Sequence, residues 1–310
     1  MDIRPFRWYG GKMRMLDELV SIIPEHTTYV EPFMGSASLL LNHARSKEEI
    51  INDMDSELVH FMRTLADTTK TKGLFFRLER TEFGKEVFEK ALEHQKKKCL
   101  GMKPTERAVN FYTLVTQSFQ NGRKSFSAKA YKDTRDYQED INFYLPKVQE
   151  RLQGVTIENK DGIELLQELV EDENVFAFVD PPYRPSLRGK SARNIYGHEM
   201  SEEDHIQLLE TIQDAKCKIA LCGYRSPEGV DLYDEYLIPH GWKCYLLKKV
   251  GNTGKKTMVD EYIWVNYELP LLASFFMSMK EYSSLDKEVS NGTSESAIME
   301  EVHVDDSRSE

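Results

Sequence analysis

Val175-Phe176-Ala177-Phe178-Val179-Asp180-Pro181-Pro182-Tyr183 is an apolar run that stops at a carboxylate, two prolines and an aromatic ring. A continuous apolar run of this length, rich in β-branched and aromatic residues, reads as a buried parallel strand. Asp180 then lies at the carboxyl end of that strand, where open α/β sheets bind their ligands. The prolines remove two N–H donors and stiffen the chain. A turn so stiffened can present a backbone carbonyl beside the Asp180 carboxylate. Two adjacent acceptors, with a ring available to stack, suit an exocyclic amine on a planar base. The same residues also fit a plain strand ending in a proline turn, with Asp180 as a cap and Tyr183 in packing.

Working outward, three further stretches complete the context. Trp8-Tyr9-Gly10-Gly11-Lys12 stands near the N-terminus. Tyr29-Val30-Glu31-Pro32-Phe33-Met34-Gly35-Ser36-Ala37-Ser38 follows, leading into the helical pattern Leu39-Leu40-Leu41-Asn42. Ile50-Ile51-Asn52-Asp53-Met54-Asp55 comes next. In this order, these motifs and the Asp180 motif resemble the Dam-like family of DNA adenine-N6 methyltransferases. The resemblance covers residues 1–55 and 155–270; the middle is only loosely similar. It implies a Rossmann-like methyltransferase sheet with S-adenosylmethionine as cofactor. It also implies cofactor contacts at Trp8, Lys12, Asp53 and Asp180, and near the adenine at Asp161. One departure stands out. The family's Phe-x-Gly-x-Gly loop reads Phe33-Met34-Gly35-Ser36-Ala37 here, and Ala tolerates that position unless it needs a positive φ.

The cofactor site can also be argued from the residues. Asp53 ends the second strand, where a carboxylate can accept both ribose hydroxyls of an adenosine, as in dinucleotide folds. Asp53 could instead cap the helix starting near Ser56, although Asp55 and Ser56 could do that work. The loop from Glu31 to Ala37 brings backbone close to the ligand, with Glu31, Phe33 and Gly35 as candidate contacts. It lacks the Lys-Ser/Thr of a phosphate-binding loop, so a nucleoside with a short charged tail suits it better than a triphosphate. Lys12 alone could be a surface lysine, Trp8 a core aromatic and Asp161 a helix cap.

Adenine N6 is a poor nucleophile because its lone pair is delocalised into the ring. Accepting both N6–H bonds, through Asp180 and the Pro181 carbonyl, favours rehybridisation and stabilises the charge that builds on nitrogen. No metal-ligand cluster and no cysteine nucleophile motif is visible, and this chemistry requires neither. A stacked base is out of reach, so it must flip out, with Tyr183 the expected ring to receive it. Asp180, Pro181, Pro182 and Tyr183 are therefore the candidate catalytic residues.

Net charge is −11, but its distribution matters more than its sum. The stretch His94–Arg135 carries ten basic residues against two acidic ones, a net of +8, while Lys280–Glu310 carries −6. Residues 56–154 interrupt the α/β alternation with a mostly helical, charged pattern and turn signals at Gly84, Gly101 and Asn121-Gly122. They read as an inserted target-recognition domain, flanked by a discontinuous catalytic domain of 1–55 and 155–272. An aperiodic acidic tail, residues 273–310, reads as flexible. Lys96, Lys97, Lys98 and Lys124 are candidates to hold phosphates, and Gln120, Asn121 and Arg123 to read bases. A polar hairpin or helix–helix turn would also account for residues 118–127. Arg184, Arg188 and Lys190 follow the Asp180 motif and read as a DNA-facing loop.

The expected partner is double-stranded DNA, with a cognate restriction endonuclease and the target bases, GATC included, left open. The chain lacks an apolar run of membrane-spanning length and a secretory signal pattern, so the expectation is cytoplasmic, in a bacterium or a phage-infected cell. Cys99, Cys217, Cys222 and Cys244 lack zinc-ligand spacing and read as core residues. Other readings are a catalytically inactive DNA-binding protein, an unrelated nucleotide-binding α/β protein, or a methyltransferase acting on RNA or a protein glutamine. The glutamine enzymes resemble the motif with Asn in its first place, so Asp180 and the basic insert favour DNA.

Overall fold

The computed structural model describes residues 3–187, 199–226, 230–251, 258–271 and 273. Among them, seven strands form one sheet: β1 (Thr28–Glu31), β2 (Glu48–Asn52), β3 (Thr156–Glu158), β4 (Val175–Val179), β5 (Lys218–Tyr224), β6 (Lys243–Gly251) and β7 (Met258–Val265), in the order β3-β2-β1-β4-β5-β7-β6. The first five are parallel, and β7 runs antiparallel between β5 and β6. This is the Rossmann-like sheet that the motifs imply. Its order reverses between β1 and β4, and the crevice there opens at the carboxyl ends of both strands.

β4 is buried at all five positions, as its unbroken apolar run requires of a central parallel strand. The two faces of the sheet carry separate cores. On one, Val30, Ala177, Ile219 and Trp264 pack with the helices α8 (Gly162–Leu169), α9 (Glu202–Ile212) and α10 (Leu232–Leu237). On the other, Tyr29, Ile51, Phe176 and Ile263 pack with α1 (Leu16–Ser21), α2 (Ser38–Asn42) and the helices between β2 and β3. Those are α3 (Ser56–Ala66), α4 (Thr68–Leu78), α5 (Lys85–Lys96), α6 (Pro104–Thr116) and α7 (Thr134–Arg151), of which α5 packs separately, through Phe88 and Ala91 against Leu114 of α6. The core is continuous from Phe176 through Phe61 and Tyr112 to Leu145, so most of these helices share one apolar interior with the sheet.

Helix boundaries follow the capping residues. Asp55 accepts from the amides of Glu57 and Leu58, Asp161 from Ile163 and Glu164, and Ser201 forms a capping box with Asp204. Gly101, at φ +74°, turns the chain between α5 and α6. No helix of the described residues is long and apolar enough to cross a membrane. All four cysteines are buried and free. The tail after Ala273, Arg188, Lys190 and the turn at Asn252-Thr253-Gly254 lie outside the described residues.

Candidate active site

Three loops leave the carboxyl ends of β1, β2 and β3 and are stitched together by Asn52. Its side chain donates to the Pro32 carbonyl at 2.8 Å and to the Lys160 carbonyl at 3.0 Å, and accepts from the Lys160 amide at 3.0 Å. Its own carbonyl accepts from Met34 at 2.8 Å. A buried amide so completely bonded fixes loop geometry. The only sequence signal for this role is an Asn ending a buried strand, which by itself does not single the residue out. Two close approaches explain small residues here. Gly35 has φ +48°, and a Cβ there would meet the Trp8 indole at 2.9 Å. A Cβ on Gly162 would meet the Phe33 ring at 2.6 Å.

Ala37 takes φ +52° and ψ +39°, so the position does require the left-handed region where the family has glycine. The loop nevertheless keeps its turn, with the Ala37 amide on the Met34 carbonyl at 2.6 Å. Ala37 offers no cap to α2, and Glu31 supplies one from β1. Its Oε1 accepts from the Leu40 amide at 2.6 Å and from the Tyr29 hydroxyl at 2.8 Å. Burial raises the Glu31 carboxyl to about 7, against the opposing pull of those two donors.

Asp55 caps α3, which releases Asp53 from that work. The Asp53 carboxylate accepts from the Gly35 amide at 3.1 Å and from the Asp55 amide at 2.9 Å, and is thereby oriented at the end of β2. Asp161 caps α8 through Oδ1, at 2.7 Å from the Ile163 amide, and also faces the crevice.

Lys12 is not a surface lysine. It is 4 % exposed and lies 2.8 Å from Asp180 Oδ2, 3.1 Å from Glu261 Oε1 and 3.1 Å from the Gly10 carbonyl. Burial alone would lower its pKa, but Asp180 and Glu261 outweigh it and hold the ammonium well above its ordinary value. Burial raises the Asp180 carboxyl, Lys12 opposes the rise and Glu261 adds to it. Tyr183 is less open than expected: the residue is 7 % exposed, its hydroxyl donates to Glu261, and Lys12 sits 5.0 Å from the ring centroid. In this arrangement Tyr183 packs beneath the site and is not an open face for a base.

Trp8, Lys12, Glu31, Phe33, Gly35, Asp53, Asp161 and Asp180 all line one cavity of about 450 Å³, together with Pro181 and Pro182. That volume lies within the roughly 300–1,000 Å³ of small-molecule sites. Glu199, Asp204 and Gln207 also line it. Glu261 escapes sequence reasoning. The stretch beginning at Glu261 reads as a strand, but only the antiparallel placement of β7 beside β5 brings its first residues to the carboxyl edge, with Glu261 paired to Tyr224.

The expected DNA-facing residues divide. Lys96, Lys97 and Lys98 are exposed at the end of α5, with Lys97 at 2.6 Å from Glu93. Residues 118–126 form a hairpin-like turn closed by a Ser118–Phe126 bridge, and Phe119, Gln120 and Lys124 are exposed on it. Asn121 is tied down by a 3.0 Å bond to the Val115 carbonyl. Arg123 points inward, ion-paired with Asp55 and 5.9 Å from the Trp8 ring, so it is not free to read a base as expected. Arg184 is likewise engaged, at 2.8 Å from Glu202 and 3.4 Å from Asp231.

Residues 8–245 match the family model of the D12 class N6 adenine-specific DNA methyltransferases. A Type II methyltransferase of Lactococcus lactis subsp. cremoris is 26% identical over 253 residues, spanning 77% of this chain and 87% of that protein. A Type II methyltransferase of Methanocaldococcus jannaschii is 25% identical over 296 residues, spanning 86% of this chain and all of that protein (100%). The DNA N-6-adenine-methyltransferase of Escherichia phage P1 is 25% identical over 243 residues, which cover 74% of this chain but 31% of the phage protein.

Proposed function

The chain belongs to the D12 class N6 adenine-specific DNA methyltransferases, and from that premise we propose that its methyl donor is S-adenosylmethionine, bound in the cavity at the carboxyl edge of the sheet. We further propose that Asp180 and the Pro181 carbonyl accept the two N6–H bonds of a flipped-out adenine. The observation that carries this reading is the convergence of eight candidate cofactor residues, from five separate stretches of sequence, on one cavity. The lining is rich in carboxylates, among them Glu31, Asp53, Asp161 and Asp180, which suits a ligand with cationic centres.

In this reading Asp53, already oriented by two backbone amides, holds the ribose hydroxyls. Trp8 and Phe33 supply apolar walls, and Glu31 faces the charged tail. When bound, the cofactor supplies an activated methyl with a good leaving group. The chain's part is alignment and electrostatics: Lys12 keeps Asp180 ionised despite burial, so that its carboxylate can draw the N6 protons and localise the lone pair. Lys96, Lys97, Lys98 and Lys124 hold the duplex, and Gln120 on the exposed turn meets bases. The Type II names of two relatives support a cognate restriction endonuclease as the chain's partner.

Calorimetry with S-adenosylmethionine, with and without duplex DNA, tests the cofactor assignment. Binding is expected to be unaffected by chelator and weakened in Asp53→Ala. No binding by the wild-type protein in either condition would overturn it.

A further inference from the structure

We propose that Glu261 on β7 is a positioning residue for methyl transfer, which holds Lys12 and Tyr183 together and leaves the Asp180–Lys12–Glu261 group with one net negative charge. The proposal rests on the reading of Asp180 as an acceptor for adenine N6.

The geometry is specific. Glu261 is 5 % exposed and lies on the face of β7 shared with Ile263 and Val265. One of its oxygens, Oε1, receives both the Tyr183 hydroxyl and the Lys12 ammonium. The same ammonium spans to Asp180 Oδ2 at 2.8 Å. A single cation thus bridges a carboxylate that lines the cavity and one behind it; Glu261 is not among the lining residues.

The consequence is electrostatic. Lys12 paired with Asp180 alone would make a neutral couple, and its proximity would weaken Asp180 as an acceptor. With Glu261 sharing the ammonium, the three groups carry one surplus negative charge, with Lys12 and Glu261 shielded from water and Asp180 open to the cavity. Methyl transfer places positive charge on N6, and that surplus is what it meets. Burying an unshared carboxylate is costly, so a Glu at this depth is stable only with such partners. Beyond Lys12, the ionisable groups facing the pair among the described residues include Glu31, Tyr183, Cys222, Tyr224 and Tyr233. Burial raises Tyr183, Cys222 and Tyr224, which leaves them neutral. Glu261 itself adds to the rise of the Asp180 carboxyl.

The test compares Glu261→Gln and Glu261→Asp with wild type. The readouts are kcat at saturating DNA and cofactor across pH, thermal unfolding, and a carboxyl-carbon NMR titration of Asp180 in the cofactor-free protein. Glu261→Gln keeps the shape and an acceptor oxygen but loses the charge. Its kcat is expected to fall about tenfold, less than removal of a group that touches the reacting atoms. The acid limb of kcat and the Asp180 titration should both move to lower pH, and Glu261→Asp should recover part of each. Wild-type kcat in Glu261→Gln would overturn the proposal. So would equal losses in both variants with the limb and the titration unmoved, which would make Glu261 a packing residue. The NMR titration reads the Glu261–Asp180 coupling without catalysis. An active Asp180→Asn protein would therefore discredit Asp180 as acceptor without touching that coupling.

Discussion

Ala37 holds a backbone conformation that costs an L-residue roughly 1–2 kcal/mol. Replacing it with glycine relieves that cost but removes a buried methyl worth about 0.8 kcal/mol. Ala37→Gly should therefore stabilise the chain by at most about 1 kcal/mol, read as a higher denaturant midpoint; a lower midpoint would mean that packing outweighs backbone strain. Glu31 gives a pH test. Its carboxyl is raised by burial from 4.5 to about 7 in the fold, so between those values the folded state binds more protons than the unfolded state. The contribution of Glu31 to stability is therefore fully present below pH 4.5 and is lost as pH rises through 7, by up to about 3 kcal/mol. Glu31→Gln keeps the acceptor oxygen for Leu40 and Tyr29, and should flatten that slope while weakening S-adenosylmethionine binding. Unfolding curves at pH 5 and pH 8 check it, and an unchanged slope would remove Glu31 from the account. At this scale the sequence is legible wherever a motif carries the residue. Asp53 and Asp180 stand in recognisable contexts, whereas Lys12's second partner does not, because Glu261 comes from 249 positions away (261 − 12).

The strands are legible because a parallel sheet writes itself as short apolar runs; β4 is expected at Val175–Val179 and is observed there. Short elements without strong periodicity are not: α10, Leu232–Leu237, has two tyrosines and two acids in six residues, a pattern that does not announce a helix. The turn at residues 118–126 illustrates the limit differently. Its composition suggests base contacts, yet Arg123 folds back onto Asp55 and ties the turn to the cap of α3. Alanine at Arg123 should therefore loosen the turn and lower stability, and should not relax sequence preference selectively. Alanine at Gln120 should cost roughly 1–3 kcal/mol of discrimination if that side chain makes a bidentate base contact. Alanine at Lys96, Lys97 and Lys98 should weaken DNA binding similarly on all sequences and reduce the salt slope by about one for each phosphate no longer neutralised. Methylation rates on a cognate duplex and its single-base variants separate these outcomes. Unchanged discrimination in Gln120→Ala would move base reading off this turn.

As a whole, the molecule places a strongly basic stretch, His94–Arg135, largely in the turns that flank α6, a helix that shares one core with the catalytic sheet. Net charge alone would argue against a nucleic-acid substrate, and only its distribution along the chain argues for one. The continuity of the core is not legible, because a charged helical insertion reads the same in sequence whether or not it packs on the sheet. Residues after Ala273 contribute no motif, so a chain ending there should fold and methylate as the full chain does, measured by thermal unfolding and methyl transfer to duplex DNA. The central claim is that Asp180, kept ionised by Lys12, accepts the amine of a flipped adenine. It is tested most directly by single-turnover methyl transfer from S-adenosylmethionine to duplex DNA, comparing wild type with Asp180→Ala. The account predicts N6-methyladenine as the wild-type product. It predicts that Asp180→Ala stays folded with a rate lower by at least about a hundredfold, the equivalent of roughly 3 kcal/mol of lost stabilisation. A folded Asp180→Ala protein that methylates adenine at near the wild-type rate would contradict it.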